Sequence, residues 1–304
     1  MKIVDVGSLT QAADVLHVAQ PALSQQVATL EAEVHQRLLV RSKLGVVPTQ
    51  AGRVLYRHAQ LILRQCEQAQ LDMTAASTGL AGPVSVGLAP GTAAAGLALP
   101  LLRAVRTRHP GILLYLNETY GTTLSELIMN GRMDLAVLYG GKVPVHGLKF
   151  LPLLREELFL VGPDTMREFP GEVPLRLLGE TDLYLARPYN VVRKLVDETF
   201  AQAGLTPRLV AEVESAATLA AVIADGLGAT ILPESMASEI VATCNACKYR
   251  IIEPVIDAPL ALCQSDHLPL AEPAQAVRDI ILELVADLPG NLLGQEREQG
   301  VALP

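Results

Sequence analysis

Uncharged hydrogen-bonding side chains cluster in the stretch SLTQAADVLHVAQPALSQQVATL, residues 8–30. Ser24 and Gln25 can each donate and accept hydrogen bonds, and a glutamine amide can pair bidentately with adenine in a major groove. Such a polar face with almost no Lys or Glu is unusual for a surface that only meets water. The pattern favours contact with DNA, and the alternative is a helical hairpin inside a larger core. The face comprises Gln20, Ser24, Gln25 and Thr29.

Two short helices joined by a tight bend at residues 17–19 are predicted to position this face. Ser8 is a good N-cap for the first helix. Pro21 fits the first turn of the second helix, where its missing N–H costs nothing. Apolar residues repeat at helical spacing and should form the buried side. They are Leu9, Ala12, Ala13 and Leu16 in the first helix, and Leu23, Val27 and Leu30 in the second.

A positively charged β-hairpin is predicted directly after the helix pair, with its turn near residues 43–45. Arg37, Arg41 and Lys43 bring three cations to this short segment. Cations on a hairpin beside a DNA-reading helix would contact phosphates as a β-wing. The alternative is an ordinary hairpin that faces water.

The charge of the 304-residue chain is unevenly distributed, although its net value is −8. Residues 1–65 hold seven Lys or Arg against four Asp or Glu, and the remainder holds 17 against 28. A basic head on an acidic body excludes a protein that coats nucleic acid along its whole length. The length allows two or three domains.

The start of the chain has no signal-peptide pattern, and no apolar run is long enough to span a membrane. Four cysteines suggest reduced thiols, so we expect a cytoplasmic protein without a membrane partner. Cys244 and Cys247 form a CxxC pair with no second pair and no nearby histidine. The pair is predicted to fall in a loop, which disfavours zinc and redox roles alike.

A long helix over residues 50–76 is predicted to follow Thr49, reaching roughly 40 Å. An apolar seam with alternating steps of four and three residues predicts a partner helix, and hence a homodimer or homotetramer. The alternative for its later part is packing against the chain's own body. The seam consists of Leu55, Ala59, Ile62, Cys66, Ala69 and Met73.

Alternating strands and helices begin after a hinge-like segment at residues 77–83. This alternation predicts a mainly parallel sheet covered on both faces, and its length predicts two lobes. The expected domains are a head at 1–48, a linker at 49–81, a body at 82–290 and a mobile tail at 291–304. Within the body, lobe I covers about 82–156 and 265–290, and lobe II about 157–264.

A cleft between two such lobes would bind a small ligand at helix N-termini beyond the strand ends. Free N–H groups with hydroxyl side chains suit a carboxylate or phosphate. For any one residue, the alternative is a simple helix cap. The candidates are Pro90, Gly91, Thr92, Gly121, Thr122, Thr123, Tyr189, Asn190 and Ser215.

Motifs of the common enzyme classes are missing from the sequence, including HExxH, GxSxG, the Walker loop and GxGxxG after a strand. The six histidines are scattered. We therefore expect no catalytic residues, no cofactor and no metal. A solute-binding protein is the main alternative, because the body taken alone has that pattern.

The chain as a whole resembles LysR-type transcriptional regulators. The motifs are GSLTQAADVL, AQPALSQQVATLE and RLLVRSKLGVVPTQAG in the head, and GPVSVGLAPGTAA, LIMNGRMDLAVLY and ADGLGATILPES in the body. The resemblance implies an α+β multidomain protein with a winged helix-turn-helix, a long linker helix and a two-lobed α/β domain like periplasmic binding proteins. It implies binding to double-stranded promoter or operator DNA, a small anionic effector, and contact with RNA polymerase in an activator. The DNA-contacting positions would be Ser8, Thr10, Gln20, Pro21, Ser24, Gln25, Thr29, Arg37, Arg41 and Lys43.

Three features depart from the family pattern. Residues 1–6 predict only the end of a first helix, so either the frame begins upstream of Met1 or the head is weakened. Leu39 replaces the usual Phe, and His35-Gln36 replaces the common Leu-Gly. Ala93 to Ala95 predict a cleft with few polar groups beyond Thr92. One hypothesis is therefore control by protein abundance instead of an effector.

Overall fold

The computed structural model describes residues 1–42, 45–78, 80–140, 144–166, 171–286 and 288. The chain forms two compact units, Met1–Met73 and Thr74–Pro304. Three sequence predictions fall outside the described residues: Lys43 of the wing, Gly79 of the hinge and the tail 291–304.

The first unit contains the predicted helix pair and hairpin and most of the long helix, whose last residues, 74–78, belong to the second unit. A proline in the first turn of the third helix agrees with its expected position. The elements are α1 (Lys2–Val6), α2 (Leu9–Val15), α3 (Gln20–Glu33), β1 (Leu39–Ser42), β2 (Gly45–Pro48) and α4 (Gln50–Thr78). The strands β1 and β2 pair antiparallel, as a wing requires.

The core of the first unit is small, and two residues expected in it are exposed. Leu16 is 47% exposed and Leu30 is 41% exposed. The helix α1 has only five residues and contributes one buried side chain, Ile3, so it covers only part of the helix pair. The buried apolar residues of this core are Ile3, Leu9, Ala12, Ala13, Leu23 and Val46.

The second unit alternates strands with helices over most of its length. Its strands are β3 (Gly82–Leu88), β4 (Ile112–Glu118), β5 (Leu135–Tyr139), β6 (Leu148–Pro163), β7 (Glu172–Pro174), β8 (Leu183–Leu185), β9 (Leu209–Glu212), β10 (Thr230–Pro233), β11 (Ala246–Ile252) and β12 (Asp257–Ser265). Its α-helices are α5 (Ala93–Gly96), α6 (Ala98–Arg108), α7 (Gly121–Met129), α8 (Val191–Gln202), α9 (Ala216–Ala224), α10 (Glu234–Thr243) and α11 (Glu272–Ala286). Two short 3-10 helices cover Asp164–Met166 and Leu175–Glu180.

The main sheet is mixed, so the expectation of a mainly parallel sheet is wrong. Its strand order is β4-β3-β5-β12-β6-β11-β7, with β10 beside β6 and a separate β8-β9 pair. The strand β3 runs parallel to β4 and β5, but β12 runs antiparallel to β5 and β6. The cause is β6, which is 16 residues long and passes from one lobe to the other. The chain then returns through β12 in the opposite direction.

The strand β6 joins the two groups of strands that form the lobes. Its first part pairs with β12, and its later part pairs with β10 and β11. The lobe boundary proposed at residues 156–157 therefore falls inside one continuous strand. This continuity places polar side chains of β6 between the two lobes.

The CxxC pair lies at a helix-to-strand junction. Cys244 follows α10, and Cys247 belongs to β11, although a loop was predicted there. The thiol of Cys247 donates to Asp164 Oδ1 at 3.4 Å. Within the described ranges, His, Cys, Asp and Glu do not form any group of three that could hold a metal ion. In those same ranges, every helix is too short or too polar to cross a membrane.

Candidate nucleic-acid interface and effector cleft

The outer face of α3 presents the polar side chains expected there. Ala19 is the N-cap residue, with an extended backbone and no side-chain cap, and Pro21 lies in the first turn. Leu23 packs inward, while Pro21 and Gln25 are exposed and Ser24 is half-buried. The first-turn amides and the Gln25 amide therefore face away from the core, where a ligand can reach them.

A hydrogen bond joins this face to the wing. Arg41 Nη1 on β1 donates to Ser24 Oγ on α3 at 3.1 Å. The contact orients a guanidinium group beside the residue that precedes Gln25, so an exposed cation and an exposed amide lie on neighbouring elements of one surface. Arg37 is also exposed, just before β1.

Two residues that sequence reasoning missed hold the wing in place. Glu31 Oε1 accepts hydrogen bonds from the backbone N–H of Leu38 at 2.7 Å and of Leu39 at 3.1 Å. A Cβ atom on Gly52 would lie 2.0 Å from the carbonyl oxygen of Leu38, so this close approach requires glycine. The signal for Glu31 was available, because an acidic side chain in the last turn of a helix opposes the helix dipole and needs a specific partner.

Two predicted DNA contacts already have partners within the chain. The hydroxyl of Ser8 accepts from Gln11 N at 3.4 Å as the N-cap of α2, and the hydroxyl of Thr29 donates to Gln25 O at 3.0 Å. Thr10 is exposed, and Gln20 is half-buried. The exposed residues of the predicted set therefore include Thr10 on α2 as well as residues of α3 and the wing.

The apolar seam of α4 is largely exposed to solvent. Ile62 is 62% exposed and Met73 is 69% exposed, while Leu55 and Ala59 are partly buried. Cys66 and Ala69 are exposed as well. An exposed apolar stripe of this length on one helix is typical of a surface that packs against another helix.

A cavity of about 290 Å³ lies between the lobes of the second unit. Thr123 and Ser215, which were predicted to contact a ligand, are not among its lining residues. Ser215 instead caps α9 by accepting from Thr218 N at 3.3 Å. The other predicted residues do line the cavity, namely Pro90, Gly91, Thr92, Gly121, Thr122, Tyr189 and Asn190.

Thr92 and Asn190 use their side chains as helix caps. The hydroxyl of Thr92 donates to Ala89 O at 2.8 Å and accepts from Ala94 N at 3.0 Å. The Asn190 Oδ1 atom accepts from Val192 N at 2.9 Å. The cap interpretation therefore describes how these two side chains are engaged.

A buried carboxylate, Glu156, occupies the backbone donors beside the cavity. Its Oε2 atom accepts from Tyr139 Oη at 2.6 Å and from Ala93 N at 3.1 Å, and its Oε1 atom accepts from Ser235 N at 2.8 Å. Burial, followed by the charge of Glu156 and the hydrogen bond to it, raises the pKa of Tyr139 well above its usual value. Glu156 is only 7% exposed. The first turns of α5 and α10 are thus bound by the protein's own anion.

The expectation of few polar groups in the cleft is wrong. Tyr139, Arg193, Glu214 and Thr230 all line the cavity. Tyr139 is the last residue of β5, and Glu214 follows shortly after β9. The rule that ligands meet the carboxyl ends of strands could have identified both.

Two domain families match this chain. "Bacterial regulatory helix-turn-helix protein, lysR family" matches residues 1–53, and "LysR substrate binding domain" matches residues 77–286. The nitrogen assimilation regulatory protein nac of Klebsiella aerogenes is 50% identical over 287 residues, covering 94% of this chain and 93% of that protein. The nac protein of Escherichia coli K12 is 47% identical with the same coverage. The motifs LSQQVATLE, RLLVR and ILRQCEQAQ indicate the same likeness.

Solved structures of full-length proteins share the fold. A full-length OxyR from Pseudomonas aeruginosa has a TM-score of 0.70 at 22% identity, covering 94% of this chain and 92% of its own. CbnR complexed with its target DNA has a TM-score of 0.56 at 24% identity, covering 93% of this chain and 96% of its own. At these identities the likeness is one of fold.

Proposed function

The chain belongs to the LysR family of bacterial transcriptional regulators, and we propose that it reads operator DNA with the outer face of α3 and the wing. The observation that carries this proposal is the hydrogen bond from Arg41 to Ser24, which orients a cation beside the Gln25 amide. Arg41 and Arg37 would contact phosphates, while Gln25 would contact base edges. Regulation of transcription, and not catalysis, is the proposed activity.

The regulated genes are proposed to be those of nitrogen assimilation. Two regulators of nitrogen assimilation match 94% of this chain at 50% and 47% identity, and residues of the head and the body contribute to both matches. The alternative of a solute-binding protein with a non-functional head has no support in these matches. A regulator of promoters would act in the cytoplasm, where its DNA is.

The proposed assembly is a homodimer or homotetramer built on the exposed seam of α4. A partner helix would cover Ile62 and Met73, which are 62% and 69% exposed. Pairing of two such helices would fix the distance between two heads, and so the spacing of the operator half-sites. Contact with RNA polymerase follows if the protein activates transcription.

The second unit is proposed to bind a small molecule in its interlobe cavity. The cavity of about 290 Å³ is close to the lower limit for small-molecule sites. Thr92 on one lobe and Asn190 on the other line this cavity. A ligand bound in this cavity could change the orientation of the two lobes relative to each other.

The test uses the purified full chain and promoter fragments upstream of nitrogen assimilation genes. Fluorescence anisotropy at fixed salt would measure binding to these fragments and to scrambled fragments. We expect Gln25→Ala to reduce the ratio of specific to non-specific affinity about tenfold or more, because a bidentate base contact contributes about 1–3 kcal/mol. Gln36→Ala, which removes an exposed amide from the loop after α3, is the matched control. Equal discrimination by Gln25→Ala and the unmodified protein would contradict the proposed base contact.

A further inference from the structure

Unpartnered polar atoms line the interlobe cavity. Among the described residues, Glu214 Oε1 and Thr230 Oγ1 are buried and have no hydrogen-bond partner. Both residues line the cavity, and Thr230 is only 1% exposed. A buried polar group without a partner destabilises the folded protein, and a charged group does so more strongly. These two atoms are therefore positioned to bind a ligand.

We propose that this cavity binds a small aliphatic cation, a protonated amine or guanidine, whose N–H groups are held by Glu214 and Thr230. The proposal rests on the proposed function in one respect, which is that the second unit binds a small molecule. It replaces the anionic effector expected from the sequence. The reason is that Arg193 and the first-turn amides of Ala93 and Ser235 are engaged, whereas an oxygen of the Glu214 carboxyl group has no partner.

The main cationic side chain of the cavity wall is already neutralised. Arg193 is nearly buried, and its Nε atom donates to the two carboxylate oxygens of Asp197 at 2.8 and 2.9 Å. Its Nη1 atom donates to Ala186 O at 2.6 Å and to Glu212 Oε1 at 3.4 Å. A guanidinium group between two carboxylates has little capacity left for an anionic ligand.

The backbone donors next to the cavity are engaged in the same way. The carboxylate of Glu156 accepts from the N–H groups of Ala93 and Ser235 and from the hydroxyl of Tyr139. An incoming carboxylate would have to displace Glu156 from these donors. A cation avoids this competition and is attracted by the same carboxylate.

The surroundings of Glu214 are compatible with a bound cation. Hydrogen bonding to Glu214, together with burial, raises the pKa of Tyr189, so the phenol remains protonated and can donate to this carboxylate. Thr230 can accept from an ammonium or guanidinium N–H through its hydroxyl oxygen. The cation would thus meet one charged acceptor and one neutral acceptor.

The rest of the cavity sets the size and polarity of the ligand. Leu185, Val196 and Ile231 supply apolar walls around a volume of about 290 Å³. This volume suits a ligand with a short aliphatic chain attached to its charged group. A bare inorganic cation would leave the apolar walls without a partner.

The experiment compares matched probes of opposite charge on the full chain. Binding of n-butylammonium, n-butylguanidinium and pentanoate would be followed by thermal shift and calorimetry at equal ionic strength. We expect saturable binding of the two cations, and at least tenfold weaker binding of pentanoate. Glu214→Gln should weaken cation binding at least tenfold. Glu198→Gln, which changes an exposed carboxylate of α8 outside the cavity lining, should not.

Three outcomes would overturn the proposal: tighter binding of pentanoate, no binding of either cation, or unchanged cation binding in Glu214→Gln. Operator binding is measured on the same preparations. If the protein binds operator DNA but no cation, only the ligand class is refuted. If it binds neither promoter fragments nor any probe, the proposed function fails as well.

Discussion

The carboxylate of Glu156 accepts a 2.6 Å hydrogen bond from the hydroxyl of Tyr139, at the point where β6 passes between the lobes. Tyr139 ends β5 in one lobe, whereas Ser235, which donates to the same carboxylate, lies in the first turn of α10 in the other. One side chain therefore ties the two lobes together. It does so with charge-assisted hydrogen bonds, which are stronger than neutral ones.

Glu156→Gln should lower the free energy of unfolding by about 2–4 kcal/mol, because one amide oxygen cannot replace two carboxylate oxygens and the amide N–H₂ would face donors. Tyr139→Phe removes only one of the three donors and should have an effect of about 1–2 kcal/mol. Urea denaturation of both variants measures these values. If the free energy of unfolding of Glu156→Gln lay within about 0.5 kcal/mol of that of the unmodified chain, the carboxylate would not be what holds the two lobes together.

Arg41→Ala should weaken binding to all DNA sequences and lower the salt slope by about one, since one phosphate contact is lost. Ser24→Ala should release the Arg41 side chain, so the effects of the two single changes should not add in the double variant. Titrations at several salt concentrations give both quantities. Arg103→Ala, at an exposed arginine of α6, is the control for loss of charge alone. Strictly additive effects would mean that the 3.1 Å contact does not position Arg41.

Ile62→Glu should dissociate the assembly, because it places a charge in the apolar seam of α4. Burial of an Ile side chain contributes about 1.5–3 kcal/mol to the free energy of association, so the association constant should fall more than tenfold. Arg57→Glu adds the same carboxylate to the opposite side of the helix and should leave the mass of the assembly unchanged. Sedimentation velocity distinguishes the two variants. A seam that packs only against its own chain would give equal masses for both.

Stability at low pH should depend in part on Glu157. Hydrogen bonds from Arg250 at 2.7 and 2.8 Å lower the pKa of this carboxyl. A lowered folded-state pKa gives a contribution that is complete above the ordinary glutamate value of about 4.3 and is lost as the pH falls through the lowered value.

Because both side chains are more than one-third exposed, this contribution should be less than about 1 kcal/mol. Glu157→Gln should therefore flatten the profile of unfolding free energy against pH below about 4.3, while Glu198→Gln should not. Unfolding measured across this range tests the difference, and parallel profiles for Glu157→Gln and the unmodified protein would contradict it.

The sequence by itself determined the elements whose signals are local. Helical spacing, the N-cap Ser8 and the early Pro21 predicted the helix pair, and with it the outward face that carries Gln25. The same holds for the hairpin and for α4, whose bounds lie close to the predicted ones. Helix periodicity fixes which side chains point outward without reference to distant residues. Motifs of contiguous residues also identified the family.

Only the tertiary structure decided how the interlobe cleft is built. The donors to Glu156 include Ala93, which is 63 residues away in the chain, and Ser235, which is 79 residues away. Neither spacing nor composition connects these positions, so the sequence predicted an anion site where a carboxylate of the chain already lies. Glu214 and Thr230 were missed for the same reason: whether a buried polar group has a partner depends on strands brought together by long-range pairing.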